Sequence, residues 1–206
     1  MALIARIRRA TCIHGIELSP GELSLAMSLV GLDIVARVAP HAPNVTPIAA
    51  SAVFAGMVLR SRALALAVPL AAMLVSDLVV GAYDWRIMGV VYAALALPAV
   101  LARWGCALRP VVVLAPLVLF SSLLFFATTN FAVWAFSSMY AHDLHGLVHC
   151  YVAALPFLYN TVAGDVLWTT LLFGSWWSAK FLLAPAAGSV PNAASRLLPS
   201  IRHARA

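Results

Sequence analysis

Six long apolar runs, at residues 21–38, 46–60, 62–80, 87–104, 110–127 and 162–183, take up most of a 206-residue chain. A helix needs about 20 mostly apolar residues to cross a bilayer, and in lipid every backbone amide must be paired within the protein. Runs of this length and number predict one bundle of six transmembrane helices. Composition agrees: 64% of the residues are hydrophobic and 10% charged, against about 45–50% apolar and roughly 25% charged in a soluble domain. The predicted class is an all-α membrane protein. Residues 1–20 form an N-terminal segment, 21–184 the transmembrane domain and 185–206 a basic tail.

Basic residues orient such a bundle, because short cytoplasmic loops are enriched in Lys and Arg. With the N-terminus inside, Arg6, Arg8, Arg9, Arg60, Arg62, Arg103, Arg109, Lys180, Arg196, Arg202 and Arg205 all fall on the cytoplasmic face. Only Arg37 and Arg86 fall outside. A miscount by one helix would break this alternation, so six spans with both termini in the cytoplasm are expected, in a bacterial inner membrane. The net charge of +6 is thereby explained as orientation and not as a nucleic-acid footprint. Arg6, Arg8 and Arg9 also interrupt the early apolar residues, so no signal-peptide core is evident. The first helix has a start signal instead: Ser19 as cap, Pro20 at the first helical position and Glu22 three residues after the cap. The second run is short and begins at Pro47.

Polar chemistry is concentrated at the outer ends of these runs. Asp33 and Arg37 stand four residues apart and are expected to pair on one helix face. His41, Asn44 and Thr46 lie in the proline-stiffened loop "APHAPNVTP", and Asp77, Tyr83, Asp84 and Trp85 in "SDLVVGAYDW". Thr129 and Asn130 follow the fifth run, while Asn160 and Asp165 open the sixth. Intramembrane carboxylates face a bundle interior or a wet cavity. An outward-opening pocket is therefore expected, roofed by residues 128–161 as a lid and walled by Trp85, Trp134, Tyr140, Tyr151 and Tyr159. Against this stands the plainer reading that Trp and Tyr at a membrane face are belt residues.

Within the lid, "MYAHDLHGLVHCY" gathers His142, His145, His149 and Cys150. At offsets of three and four the imidazoles share a helix face, a spacing that suits either a metal or simple hydrogen bonding. Cys12 and Cys106 fall on the cytoplasmic side and Cys150 outside, which excludes an intramolecular disulfide. The chain carries no Gly-rich phosphate loop, no HExxH and no G-x-S-x-G. It is not expected to be an enzyme. Small residues at Ser24 and Ser28, and at Ala52 and Gly56, permit close helix contact.

The strings "PNVTPIAASAVFAG", "AVPLAAMLVSDLVVGAYDW", "FFATTNFAVW" and "GLVHCYVAALPFLYNTVAGDVLWTTLLFG" resemble a family of six-helix bacterial membrane proteins. That family is similar to the S-components of energy-coupling-factor (ECF) vitamin transporters, in particular the BtuM-like cobalamin branch. The resemblance implies capture of a vitamin or corrinoid by the loops between spans one and two, three and four, and five and six. It also implies a coupling protein and ATPases as partners, or solitary action. In the cobalamin branch a cysteine near the end of span three meets cobalt; here "VVGAYDW" has none, leaving Cys150 or a nearby histidine as substitute. The first span likewise lacks a clear AxxxA docking face.

The expected function is uptake of a vitamin-like molecule, with cobalamin or a related corrinoid foremost. The expected ligand contacts are Asn44, Thr46, Asp77, Tyr83, Trp85, Asn130, Tyr140, His145, Tyr151, Asn160 and Asp165, with His142, His145, His149 and Cys150 as candidate metal ligands. Two other readings fit the same residues: a membrane-embedded metal- or haem-binding protein or enzyme built on the cluster of His142, His145, His149 and Cys150, and a non-transporting assembly protein.

Overall fold

The computed structural model describes residues 19–105 and 110–183. The N-terminal segment, the basic tail, Cys12, Cys106, Arg109 and the arginines of both termini lie outside the described residues. Six helices follow in order: α1 (Pro20–Val38), α2 (Ile48–Val58), α3 (Arg62–Val80), α4 (Trp85–Gly105), α5 (Pro110–Phe136) and α6 (Leu144–Leu182). Among the described residues there is no strand. Four helices, α3 to α6, are long and apolar enough to cross a membrane. The other two fall short of the six spans expected, the second of which was already short in the sequence. Helix α1 has 19 residues but carries Glu22, Asp33 and Arg37, and α2 has only 11.

Local chemistry sets these boundaries. Ser19 accepts a hydrogen bond from the Glu22 amide at 3.1 Å, with Pro20 at the first helical position. Glu22 does not complete a reciprocal capping box. Its carboxylate instead accepts from the Arg60 amide in the α2–α3 turn, where the Arg103 guanidinium also donates to the Leu59 and Arg60 carbonyls. A three-residue turn is thus pinned from both sides. Arg60, Arg62, Arg103 and Lys180 share this basic end of the bundle, while Arg37 and Arg86 stand at the other.

Helix α2 is the centre. It packs on α3, α4 and α6 and touches α1 and α5, and every residue from Ala50 to Met57 is buried. A helix apolar all round belongs in an interior, and its Ala, Ser and Gly residues let neighbours come close. At Gly56 the approach is extreme: a Cβ there would lie 2.3 Å from the Ala99 carbonyl oxygen of α4. The close contact expected of Ala52 and Gly56 is therefore made within the chain.

Residues 128–161 do not form a separate outer segment. Helix α5 runs for 27 residues and α6 for 39, and they meet across the turn 137–143. The polar string "TTN" fails to end α5 because its side chains bond back to the helix. Thr128 and Thr129 donate to the Leu124 and Phe125 carbonyls, at 2.8 and 2.7 Å, and Asn130 donates to the Phe126 carbonyl at 2.8 Å. Asp143 then caps α6, accepting from the Gly146 amide at 2.7 Å.

Candidate functional site, a polar cleft beyond the central helix

Where α2 begins, Ile48, Met73 and Leu95 close the core. Beyond that level the bundle has no central helix, and the space is bordered by the loops 39–47 and 81–84. Three carboxylates border this half of the molecule, each on a different helix. The expected Asp33–Arg37 pair is not formed. Asp33 turns inward, fully buried, and its Oδ1 accepts from the Ser51 hydroxyl at 2.7 Å, while Oδ2 has no hydrogen-bond partner among the described residues. Arg37 instead reaches α3, where its Nη1 lies 2.6 Å from Asp77 Oδ1 and also donates to Ser76. Spacing on one helix was a weaker constraint than a carboxylate on the neighbouring one. Tyr92 donates to Asp77 Oδ2 at 2.6 Å. On α6, Asp165 is 4% exposed and accepts from the Ser122 hydroxyl at 2.6 Å.

Two adjoining cavities, of about 340 and about 300 Å³, share Asn44, Phe125 and Thr161 in their walls. The larger has an apolar lining of Ile48, Met73, Val91 and Leu95, against which stand Arg37, His41, Thr46, Tyr83 and Asp165. The smaller lies among Pro43, Phe126, Thr129, Asn130 and Phe157. Asn44 holds the loop between them in a left-handed conformation, φ 64°, one that Asn tolerates better than most side chains. The loop is pressed onto α6, since a Cβ at Gly164 would come within 3.1 Å of Val45 Cα. Burial pushes the Tyr83 phenol up from its ordinary value, and the Asp77 carboxylate adds to the effect.

Of the expected ligand residues, Asn44, Thr46, Tyr83 and Asp165 line the larger cavity and Asn130 the smaller. Asp77 stands behind Arg37. Trp85, Tyr140, His145, Tyr151 and Asn160 line neither cavity. Trp85 is largely exposed, and the Tyr151 hydroxyl donates to the Ala127 carbonyl. Asp84 is taken up by Arg86 at 2.8 Å, whose guanidinium holds its carboxyl down at about 2. The residues that sequence reasoning missed are Tyr92, Ser122, Phe125 and Thr161. Their only signal is a hydroxyl or ring within an otherwise aliphatic run.

The histidines and cysteine of this stretch are not brought together in the structure. His142, His145 and His149 are exposed, while Cys150 is buried beneath them with its thiol toward the Asn130 carbonyl at 3.5 Å. His142 packs edge-on to Trp134, and His149 packs against Tyr140. Among the described residues no three His, Cys, Asp or Glu side chains come together to hold a metal ion. The shared helix face expected of His142 fails because it precedes Asp143, the cap, and lies in the turn.

These features define a class: an all-helical protein with four membrane-span-capable helices, arranged about a short buried helix, with a polar-lined cleft where that helix stops. The chain belongs to DUF6580, a family of unknown function, whose profile matches residues 19–187. No curated protein and no solved structure matches the chain.

Proposed function

We propose that this protein is a membrane-embedded capture and uptake protein for a small, vitamin-like solute, of the S-component type. The observation that carries the reading is the cleft, a cavity of about 340 Å³ in which an apolar floor of Ile48, Met73, Val91 and Leu95 faces Arg37, Asn44, Thr46, Tyr83 and Asp165. Solute sites typically combine an apolar lining of about 300–1,000 Å³ with a few placed polar groups. In this reading the protein sits in a bacterial inner membrane with its basic end in the cytoplasm, the side that the positive-inside rule favours, and the cleft opens outward. A cobalamin or related corrinoid, the ligand that the resemblance suggests, is much larger than this volume and enters only if the loops 39–47 and 81–84 move apart. A vitamin-sized molecule fits without that change. Energy for release inward comes from partners, an ECF coupling protein with its ATPases, or from the solute gradient if the protein acts alone.

The test is direct binding. Full-length protein in detergent, incubated with a panel of water-soluble vitamins and corrinoids, is examined by native mass spectrometry. One member should be retained, and Asn44→Ala should lower its affinity about tenfold, the loss of about 1.4 kcal/mol expected for one hydrogen bond. An unchanged affinity in that variant, at an unchanged melting temperature, would remove the cleft as the site.

A further inference from the structure

The polar wall of the cleft is electrically unbalanced. Arg37 and Asp77 neutralise each other at 2.6 Å. Asp165 has no such counterpart: its Oδ2 takes the Ser122 hydroxyl at 2.6 Å, and no cation among the described residues pairs with it. At 4% exposure it is nevertheless part of the cavity wall. A buried carboxylate without a countercharge is costly, and Ser122 satisfies only one of its oxygens. The same cavity is lined by two aromatic residues, Phe125 and Tyr83, and aromatic faces attract cations.

We infer that the solute carries a positively charged nitrogen which seats against Asp165, on an apolar body lying over Ile48, Met73 and Leu95. This rests on the reading of the cleft as a solute site and adds the ligand's charge to it. An anionic solute is disfavoured by the same carboxylate. Arg37 stands on the same wall, but its charge is offset by Asp77, which its Nη1 meets at 2.6 Å.

Electrostatic selection can be read without knowing the natural ligand. Thr46→Cys, made in full-length protein in which Cys12, Cys106 and Cys150 are replaced by Ala, puts a thiol in the cleft wall. Its reaction rates with cationic trimethylammonium-ethyl methanethiosulfonate and with the anionic sulfonatoethyl reagent are compared in lipid nanodiscs, with 2-mercaptoethanol as reference. The cation-to-anion rate ratio should exceed the reference by about tenfold or more, the lower range for a charged cleft. Asp165→Asn should return it to the reference, and Asp165→Glu should keep it raised. A ratio equal to the reference while Asp165 is intact overturns the inference, and that comparison needs no folded variant at residue 165. A ratio that Asp165→Asn leaves unchanged also overturns it. If neither reagent reaches Thr46→Cys, the cleft is closed to small solutes and the functional reading falls with the inference.

Discussion

At the scale of single residues, the decisive fact is where Arg37 points. Its sequence neighbour Asp33 was one helical turn away, yet the guanidinium joins Asp77 on α3 and leaves Asp33 to Ser51. Removing one partner of a buried pair costs about 3–5 kcal/mol, since the other charge stays buried alone, whereas replacing both is often neutral. Arg37→Met should therefore lower the melting temperature in detergent sharply. The double variant Arg37→Met/Asp77→Asn should recover most of the loss. Equal melting of single and double variants would show that Asp77 does not depend on Arg37. The carboxylates were legible in the sequence as interior groups because lipid forbids the alternative. Their partners were not, since Ser51 and Ser122 look like small packing residues, and Tyr92 like one more core ring, until the helices are placed side by side.

At the scale of elements, the sequence marked the apolar runs well and their ends less well. The run at 46–60 looked like a short span, but only residues 48–58 are helical, because the segment is surrounded by protein and has no bilayer to match. Conversely, the fifth run ends at 127 on apolarity alone but leaves "TTNFAVW" open as its continuation, and α5 does run through it to Phe136, with the side chains of Thr128, Thr129 and Asn130 bonded to the preceding turn. Helix α6, at about 1.5 Å per residue, is roughly 58 Å long, well beyond the hydrocarbon thickness of about 30 Å. The seam that fixes α2 against α4 is Gly56. With a Cβ only 2.3 Å from the Ala99 carbonyl oxygen, Gly56→Ala should destabilise by about 1–3 kcal/mol, the usual cost of overpacking. Gly89→Ala, on α4 with open space around its Cβ site, should leave the melting temperature unchanged or slightly raised, since Ala is the better helix former. A Gly56→Ala protein as stable as wild type would mean that α2 and α4 do not approach so closely.

At the scale of the whole molecule, everything proposed about the cleft depends on which side of the membrane it opens to. The described cations sort cleanly, with Arg60, Arg62, Arg103 and Lys180 at one end, and Arg37 and Arg86 at the other engaged by Asp77 and Asp84. Engagement matters, because an arginine neutralised by a neighbouring carboxylate weakens the only positive signal on the cleft side. Alternation of helices then ties the α5–α6 turn to the cleft side and the α2–α3 turn to the basic side. Cysteines introduced at Met139, 71% exposed in the first turn, and at Ala63, exposed beside the second, report this directly. In a background without the native cysteines, a membrane-impermeant maleimide applied to spheroplasts should label Met139→Cys at once. It should label Ala63→Cys only after the membrane is permeabilised. The reverse pattern would turn the cleft toward the cytoplasm, and a protein so oriented would release or export its solute there and could not capture it from outside.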